Sequence, residues 1–284
     1  MIIQEGKGCR VTVVEHSEAF TGKPIATLLL RYWRSIHAEL MTHRAFSRNA
    51  GSSRAIPVAR MIEQVRNDPA GPIHWGKNQR GMQAKEELQG VERDAARAYW
   101  REAAGKAARY AECMEEIGAH KQVVNRILEP FQFIHVVVTA TEWDNWFELR
   151  DHEDAQPEIQ DLARTVREAL SQSTPVKRAR ERQLTSSWHL PFVTAEERAG
   201  YPEDPTFLAQ LSTARCARAS YLTHDGIEPK PVEDLDLFER LVAARPLHAS
   251  PTEHQAYPLP LATQQSKNFY GWRQHRELVE HRFR

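Results

Sequence analysis

A polar segment of thirteen residues, 42–54, restricts the ways in which this chain can fold. It contains three arginines, one histidine, one asparagine, three serines and one glycine, but no carboxylate that could neutralise the positive charge. Because unpaired charge is not buried in an apolar core, the segment must lie at the edge of one. The apolar run 25–30 indicates a buried strand before it, and Ile36, Leu40 and Met41 follow at helical spacing. The segment is therefore predicted to be held by apolar elements on its N-terminal side.

The residue types of this segment are those that bind anions. Guanidinium groups bind phosphate oxygens through paired hydrogen bonds, while serine hydroxyls and the backbone N–H groups around Gly51 can satisfy the remaining lone pairs. Each charge-assisted bond of this kind contributes roughly 1.5 to 3 kcal/mol. A solvated surface loop has a similar composition, so an anion site and a surface loop are both open interpretations of the segment alone.

Composition describes an ordinary globular protein of one domain. Of the 284 residues, 41% are hydrophobic and 27% are charged, and the formal net charge is zero. Non-specific binding of nucleic acid requires a net basic surface, so this balance disfavours it. Apolar runs stay far below the roughly 20 residues of a membrane-spanning helix, and we expect a cytoplasmic protein. Cys9, Cys113 and Cys216 form no CxxC pair, which argues against a disulfide framework or a cysteine-based zinc site.

Strands and helices are predicted along most of the chain. The predicted strands are 11–15, 25–31 and 133–138. The predicted helices are 58–66, 84–117, 122–128, 142–149, 158–170, 234–244 and 270–281. Thr141 is expected to cap the helix that starts at residue 142. The longest helix is expected to pack on other helices through its apolar side. That side consists of Leu88, Val91, Ala95, Tyr99, Ala103 and Ala107.

One arginine follows an aromatic helix face. Trp143, Trp146 and Phe147 lie about one turn before Arg150, and such aromatic side chains favour a buried helix face. The Arg150 guanidinium therefore stands at the end of that face. We therefore predict that Arg150 contacts a ligand.

Residues 74–79 either line a pocket or form an exposed turn.

Histidines and a carboxylate lie close together near residue 250. His248, Glu253 and His254 are residue types that bind metals, but HxxxxEH across a proline is no recognised ligand spacing. Hydrogen-bonded loop histidines are the favoured interpretation, and no metal is expected. Ser52 has no GxSxG elbow, and neither GxGxxG nor GxxxxGK[ST] occurs, so serine-hydrolase, Rossmann and P-loop chemistry are not supported.

Three blocks of residues resemble the flavin-dependent thymidylate synthase family. The family signature RHRxxSxNxxSxR is similar to residues 42–54, which run THRxxSxNxxSxR. The family block NFLxLR…AQxEI is similar to NWFxLR at 145–150 and AQPEI at 155–159. The family block ARVSF…HxTPFEH is similar to ARASY at 217–221 and HASPTEH at 248–254.

The blocks stand in an unusual order. In typical family members the third block precedes the other two, whereas here it comes last, as a circular permutation would produce. This hypothesis requires the residues around Ser220 and His248 to fold back beside His43. The resemblance implies an α+β fold, in which a mixed or antiparallel β-sheet packs with long α-helices in a single permuted domain. The implied parts of the catalytic domain 1–284 are nucleotide and flavin motifs at 22–172, a permuted flavin-binding segment at 211–256 and a C-terminal helix at 257–284.

The resemblance implies a reaction. The chain would transfer a one-carbon unit from methylenetetrahydrofolate to C5 of a pyrimidine deoxynucleotide, converting dUMP to dTMP, with reduced FAD supplying hydride and NADPH reducing the flavin. The family uses no enzyme cysteine for this, which agrees with the absence of cysteine from the motifs. Family members are homotetramers whose active sites combine several subunits, so self-association is expected.

The resemblance also assigns roles to residues. Arg150 and Ser52 would be catalytic, with Arg150 stabilising negative charge that develops on the pyrimidine ring. The nucleotide would be bound by Glu39, Ser52, Ser53, Arg54, Arg126 and Arg150. The flavin would be surrounded by His43, Arg44, Asn145, Ser220, His248, Ser250 and Glu253. His248 would lie near the position where folate stacks.

Five residues depart from the family pattern. Thr42 replaces an arginine, Ala50 a glutamate and Glu39 a glutamine, while Thr139 and Thr141 replace an asparagine and an arginine. Losing an arginine and gaining a carboxylate changes the electrostatics of substrate binding. Hydroxymethylation instead of methylation, and dCMP instead of dUMP, are therefore open alternatives.

Two alternatives lie outside this chemistry. The chain could bind a nucleotide without catalysis, or it could be a nucleic-acid-binding module built on Arg44, Arg48 and Arg54.

Overall fold

The computed structural model describes residues 2–218, 230–243 and 247–282. The strands within these ranges are β1 (Ile2–Glu5), β2 (Arg10–Ala19), β3 (Pro24–Trp33), β4 (Ser47–Ala50), β5 (Phe133–Ala140), β6 (Val176–Arg178), β7 (Ala256–Pro258), β8 (Gln265–Ser266), β9 (Phe269–Tyr270) and β10 (Trp272–Gln274). The α-helices are α1 (His37–Leu40), α2 (Val58–Asn67), α3 (Gly90–Glu116), α4 (Lys121–Val124), α5 (Asp144–Arg150), α6 (Pro157–Ser171), α7 (Ala195–Gly200), α8 (Pro205–Ala217), α9 (Pro231–Phe238) and α10 (His275–Arg282). Short 3₁₀ turns at Asn125–Phe131 and Ser250–Glu253 matter for the site.

The main sheet has the strand order β1-β2-β3-β5-β4, and these strands pair antiparallel. Strand β6 adds to β2 in parallel, opposite Ser17–Ala19, so the sheet is mixed. The predicted α+β fold with a mixed sheet and long helices is therefore confirmed. Strand β4, which carries four residues of the polar segment, lies at one edge of the sheet beside β5.

Strands β3 and β5 lie inside the sheet, with a strand on each side, and their buried side chains are apolar. Leu28, Leu30, Val136 and Val138 are at most 1% exposed and pack against the apolar face of α6. Burying each such side chain contributes about 1.5 to 3 kcal/mol, so this layer fixes the sheet on which the polar segment rests.

The prediction of which side of the longest helix, α3, packs against other helices is wrong. Its buried residues are the alanines at 104, 108 and 111, which pack with Met61 and Val65 of α2, whereas Val91 is 84% and Tyr99 71% exposed. Alanine allows close approach between helices, and the large apolar residues lie on another face.

Two predictions at helix ends are wrong as well. Thr141 does not cap α5; its hydroxyl accepts a hydrogen bond from the Tyr270 backbone N–H at 3.1 Å. The helix predicted over 270–281 begins only at His275, because residues 272–274 pair with β7. Gly271 turns the chain with a φ of +72°, in the left-handed region that favours glycine.

The C-terminal elements pack onto the sheet that carries the polar segment. Trp272 is buried with Ile25 of β3, and its indole N–H donates to the Lys23 carbonyl at 3.0 Å. Gln274 donates to the Ser47 hydroxyl of β4 at 3.0 Å. Over the described part of the chain, no helix combines the length and apolar character needed to span a membrane.

Candidate functional site

Arg150, the last residue of α5, meets three residues that precede or begin the polar segment. Its Nε donates to His43 Nε2 at 2.9 Å, and a terminal nitrogen forms an ion pair with the Glu39 carboxylate. The other terminal nitrogen donates to the Thr42 hydroxyl at 3.4 Å. The three guanidinium nitrogens therefore face residues of the polar segment or of helix α1 next to it.

Buried aromatic rings fix the position of α5. Trp146 is 2% exposed and meets Phe46 edge to face, with ring centroids 5.6 Å apart, while Trp143 lies 4.7 Å from the same ring. The His43 ring packs edge-on against Trp146 at 6.4 Å. The aromatic face thus points inward, and Arg150 is left at the helix end beside the polar segment.

The His43 imidazole is neutral at physiological pH. Burial, the Arg150 guanidinium and the Arg48 guanidinium lower its pKa from 6.5 to about 4, in that order of importance. A neutral ring has one nitrogen that accepts, and Nε2 accepts from Arg150 here. The N–H of this ring is therefore on Nδ1.

The residues predicted to bind phosphate fall into two groups. Ser53 is 2% exposed, and its hydroxyl donates to Glu129 at 2.6 Å while its carbonyl accepts from the Asn125 amide at 2.7 Å. By contrast, the Ser52 and Arg54 side chains have no hydrogen bond or ion pair with other described residues. Ser53 holds the loop, and Ser52 and Arg54 are available to a ligand.

Glu129 lies between two guanidinium groups. It pairs with Arg34 at 3.1 Å and with Arg126 at 2.8 Å, in addition to its bond from Ser53. Two cations around one carboxylate leave a net positive charge at this end of the polar segment. Among the backbone N–H groups around Gly51, that of Gly51 itself donates to the His135 carbonyl at 2.8 Å.

The segment 248–254 lies beside strand β4. Ser250 donates to Asn49 Oδ1 at 3.4 Å, and the Asn49 amide donates to the Cys216 carbonyl of α8 at 2.7 Å. The permutation hypothesis requires such packing of the third sequence block against the signature segment, and it stays a prediction. Ser220 lies outside the described residues.

The remaining predicted flavin residues differ in their surroundings. His248 is exposed, and the Glu253 carboxylate forms an ion pair with Arg276 of α10. Arg44 and Asn145 are exposed, and in the described ranges their side chains have no hydrogen-bonding or ionic partner. Four potential ligand contacts, Arg44, Asn145, His248 and Ser250, therefore reach the surface near the polar segment or on α5.

His254 is a buried hydrogen-bonded histidine. It is 0% exposed, its Nδ1 lies 2.8 Å from the Thr139 hydroxyl, and burial lowers its pKa to about 3.

In the predicted 74–79 segment, Trp75 lines a cleft of about 490 Å³ with Trp33 and Trp100, while residues 77–79 are exposed. One part of this segment therefore lines a pocket, and another part is an exposed turn.

Sequence reasoning missed Glu129 and Arg276. Glu129 stands next to Pro130 in no recognisable motif, and Arg276 lies in the last thirty residues, which resemble no block. Only their ion pairs reveal them, and an ion pair between distant residues leaves no local sequence signal.

Two of the three cysteine thiols are buried. Burial raises the pKa of Cys9 to about 12 and that of Cys216 well above its usual range. Cys113 on α3 is exposed. The hydrogen bonds of the buried thiols go to Asp161 and Thr165 for Cys9 and to Gln255 for Cys216.

The chain matches the sequence model of a family described as thymidylate synthase complementing protein, over residues 14–176. This match spans more than half of the chain, and the chain belongs to this family, the flavin-dependent thymidylate synthases. Membership supports an enzyme of the methyltransferase type that acts on a pyrimidine nucleotide. The matched range contains the first two sequence blocks and excludes the third.

A comparison with solved structures finds similarity to the crystal structure of a UMP/dUMP methylase, PolB from Streptomyces cacaoi, bound with 5-Br UMP. The sequences are 14% identical, the TM-score is 0.46, and the similarity covers 58% of this chain and 89% of the other. Among curated proteins, none matches the chain.

Proposed function

We propose that this protein transfers a one-carbon unit from methylenetetrahydrofolate to C5 of dUMP in a flavin-dependent reaction. The observation that carries the proposal is the meeting of Arg150 with Thr42 and His43. These residues come from two separate sequence blocks that the family resemblance assigns to one site. Family membership supports the reaction class, while the substrate, the flavin and the folate are part of the proposal.

The nucleotide phosphate binds at the far end of the polar segment. Ser52 and Arg54 supply a hydroxyl and a guanidinium without partners among the described residues, and Arg126 adds a half-exposed cation 2.8 Å from Glu129. Ser53 anchors the loop through Glu129 and so keeps Ser52 in place. The excess of positive charge around Glu129 favours a dianionic phosphate over a neutral ligand.

The pyrimidine ring lies near Arg150. As electrons move toward C5, negative charge develops on the ring oxygens, and a fixed guanidinium stabilises it without reorganising. The aromatic packing of α5 supplies that fixed position. Glu39 shares the guanidinium, so nucleotide binding exchanges part of the Glu39 contact for a contact with the base.

A flavin fits the donors present at the surface near the polar segment and on α5. Arg44, Asn145, His248 and Ser250 offer cationic and hydrogen-bonding groups there. Such donors suit the pyrophosphate and the ring carbonyls of FAD. When bound there, FAD would supply the hydride that turns the transferred methylene into a methyl group, with loss of the C5 proton and release of tetrahydrofolate, and NADPH would reduce the flavin again.

Self-association is part of the proposal. Helix α3 presents Val91, Tyr99 and Tyr110 at 61% exposure or more, a face that a second copy of the chain would cover. We expect a homotetramer, in accordance with the family resemblance.

A second candidate function follows from Glu39. A carboxylate accepts hydrogen bonds from the exocyclic amine of cytosine, and Glu39 is held beside the base-contacting arginine. The alternative is methylation or hydroxymethylation of dCMP, or hydroxymethylation of dUMP.

One experiment decides among these functions. Protein loaded with FAD is incubated with NADPH, methylenetetrahydrofolate and either dUMP or dCMP, and the product is measured by mass spectrometry. We expect dUMP to gain one methyl group. A hydroxymethyl product or turnover of dCMP would select the alternative, and no product with either nucleotide would overturn both.

A further inference from the structure

Arg48 closes the turn that carries Thr42 and His43. Its terminal nitrogen Nη1 donates to the Met41 carbonyl at 2.7 Å and to the His43 carbonyl at 3.2 Å. These two carbonyls stand on either side of Thr42, so one guanidinium group holds the backbone both before and after this residue. Hydrogen bonds from a charged donor are roughly twice as strong as those between neutral groups. Arg48 therefore restrains this turn more firmly than a neutral side chain would.

The backbone hydrogen bonds of the turn are local. The N–H groups of Thr42 and His43 donate to carbonyls three residues earlier, at 3.1 and 3.2 Å. The Met41 carbonyl accepts from Arg48 and from no other described group. The local bonds bend the chain, but they do not fix the turn relative to the rest of the protein, which the bonds from Arg48 do.

Arg48 itself belongs to the main sheet. It lies on β4, where it pairs with Val138 of β5. Its neighbours in the sequence are held as well, because the Ser47 hydroxyl accepts from Gln274 at 3.0 Å and the Asn49 amide donates to a carbonyl of α8 at 2.7 Å. The Arg48 guanidinium therefore joins a fixed strand to the turn.

The turn in question is the one that meets Arg150. The Thr42 hydroxyl donates to the Glu39 carbonyl at 2.7 Å, which leaves its oxygen to accept from Arg150 at 3.4 Å. His43 Nε2 accepts from Arg150 Nε at 2.9 Å. Both contacts depend on the path of the backbone through residues 42 and 43, and Arg48 fixes that path.

The positive charge of Arg48 supports the same contact. Arg48 has no ion pair with a described carboxylate, and Glu253, with which it interacts electrostatically, is itself paired with Arg276. Burial, Arg150 and Arg48 together lower the pKa of His43 to about 4. A neutral imidazole can accept a hydrogen bond from Arg150, whereas a protonated imidazole only donates.

We propose that Arg48 is a positioning residue of the nucleotide site, which holds the turn 41–43 so that Thr42 and His43 keep the Arg150 guanidinium in place for the pyrimidine ring. This inference rests on the proposed function. Position 48 is one of the unspecified positions of the family signature, so the resemblance gives it no role. Because its Nη1 donates to protein carbonyls, Arg48 acts through Arg150 and not on the nucleotide itself.

The placement of Arg150 is tested without substrate. NMR measures how fast the Arg150 Nε–H exchanges with water, which a hydrogen bond to His43 slows. In Arg48→Met, which keeps an unbranched side chain but removes the donors, this exchange should be roughly three- to tenfold faster. Arg60→Met, which removes an exposed arginine of α2, is the matched control and should leave the rate unchanged.

A second variant keeps the test independent of how Arg48→Met folds. Arg48→Gln places a shorter, neutral polar side chain at this half-buried position, and its exchange rate should rise in the same way. Thermal unfolding checks the fold of each variant. An unchanged exchange rate in either folded variant would overturn the inference and leave the proposed function intact.

The consequence for the reaction is tested by steady-state kinetics of FAD-loaded Arg48→Gln with NADPH, methylenetetrahydrofolate and dUMP. We expect kcat to fall roughly tenfold, because a displaced catalytic group slows the reaction, and KM for dUMP to stay within about twofold, because Ser52 and Arg54 still bind the phosphate. A raised KM with unchanged kcat would show that Arg48 binds the nucleotide directly, which would overturn the inference. If the unmodified protein turned over neither dUMP nor dCMP, the proposed function would fail, and the exchange rate would still decide whether Arg48 positions Arg150.

Discussion

Glu39 and Arg150 are 111 positions apart in the sequence and form an ion pair at the end of the aromatic helix α5. The glutamate stands where the family pattern has a glutamine, so a negative charge faces the guanidinium that we expect to contact the base. The pair therefore sets how strongly that guanidinium attracts an electron-rich ring.

Glu39→Gln should strengthen nucleotide binding. The amide still accepts a hydrogen bond from Arg150 but no longer neutralises it, so dUMP should bind roughly three- to tenfold more tightly. Isothermal titration with dUMP measures this effect. Glu148→Gln, which changes an exposed glutamate on α5 near Arg150, is the control, and an equal gain in both variants would refute a local effect.

Arg150→Lys should reduce catalysis more than stability. Lysine keeps the charge but loses the planar group that reaches three partners at once, so kcat/KM should fall by about 10² to 10³. Steady-state kinetics with dUMP give the value, and thermal unfolding confirms the fold. Arg164→Lys, which changes an exposed arginine of α6, is the control and should retain full activity. Full activity in Arg150→Lys as well would show that Arg150 takes no part in the reaction.

Substitution of Ser52 should affect nucleotide binding, whereas substitution of Ser53 should affect the stability of the fold. Ser53→Ala removes a buried hydrogen bond to Glu129 and should lower the free energy of unfolding by about 1 kcal/mol. Ser52→Ala should leave stability unchanged and raise KM for dUMP. Denaturant titration and initial rates distinguish the two variants, and the reverse pattern would show that Ser53 is the phosphate ligand.

Two histidines should make the fold sensitive to acid. The pKa of His43 is lowered to about 4 and that of His254 to about 3, so both stay neutral in the folded protein while the unfolded chain takes up protons below about pH 6.5. Their contribution to stability is complete above pH 6.5 and is lost progressively as the pH falls toward 4 and then 3.

His254→Gln should flatten this dependence. The free energy of unfolding of the variant, measured by denaturant titration between pH 7 and pH 4, should change with pH by about one proton less than that of the unmodified protein. His152→Gln, which replaces an exposed histidine, should keep the original slope. Identical slopes in all three proteins would show that His254 is protonated in the fold.

Local sequence signals predicted the parts of the fold that depend on continuous apolar runs. Strands β3 and β5 and helix α6 lie where their hydrophobic patterns indicated. The short strands β8 and β9 have two residues each and exist because they pair with one another, which no local pattern predicts. The side of α3 was misjudged because its contacts use small alanines while larger apolar residues point to the surface.

The candidate site was predictable only as a set of residue types. The motifs identified Arg150 and His43, but not that Glu39 would share the arginine or that Glu129 would hold Ser53. These contacts join residues far apart in the sequence, and their geometry depends on how the elements pack.

The burial of two of the three thiols gives the protein a single natural attachment point. With the pKa of Cys9 and Cys216 raised by burial, a maleimide dye at neutral pH should react with Cys113 alone. Cys113 lies on α3, the helix whose exposed apolar residues we expect a second copy to cover. Because Cys113 lies one turn after Tyr110 on that helix, a second copy would cover it, so the rate of labelling would report subunit assembly without any substitution and without touching the catalytic residues.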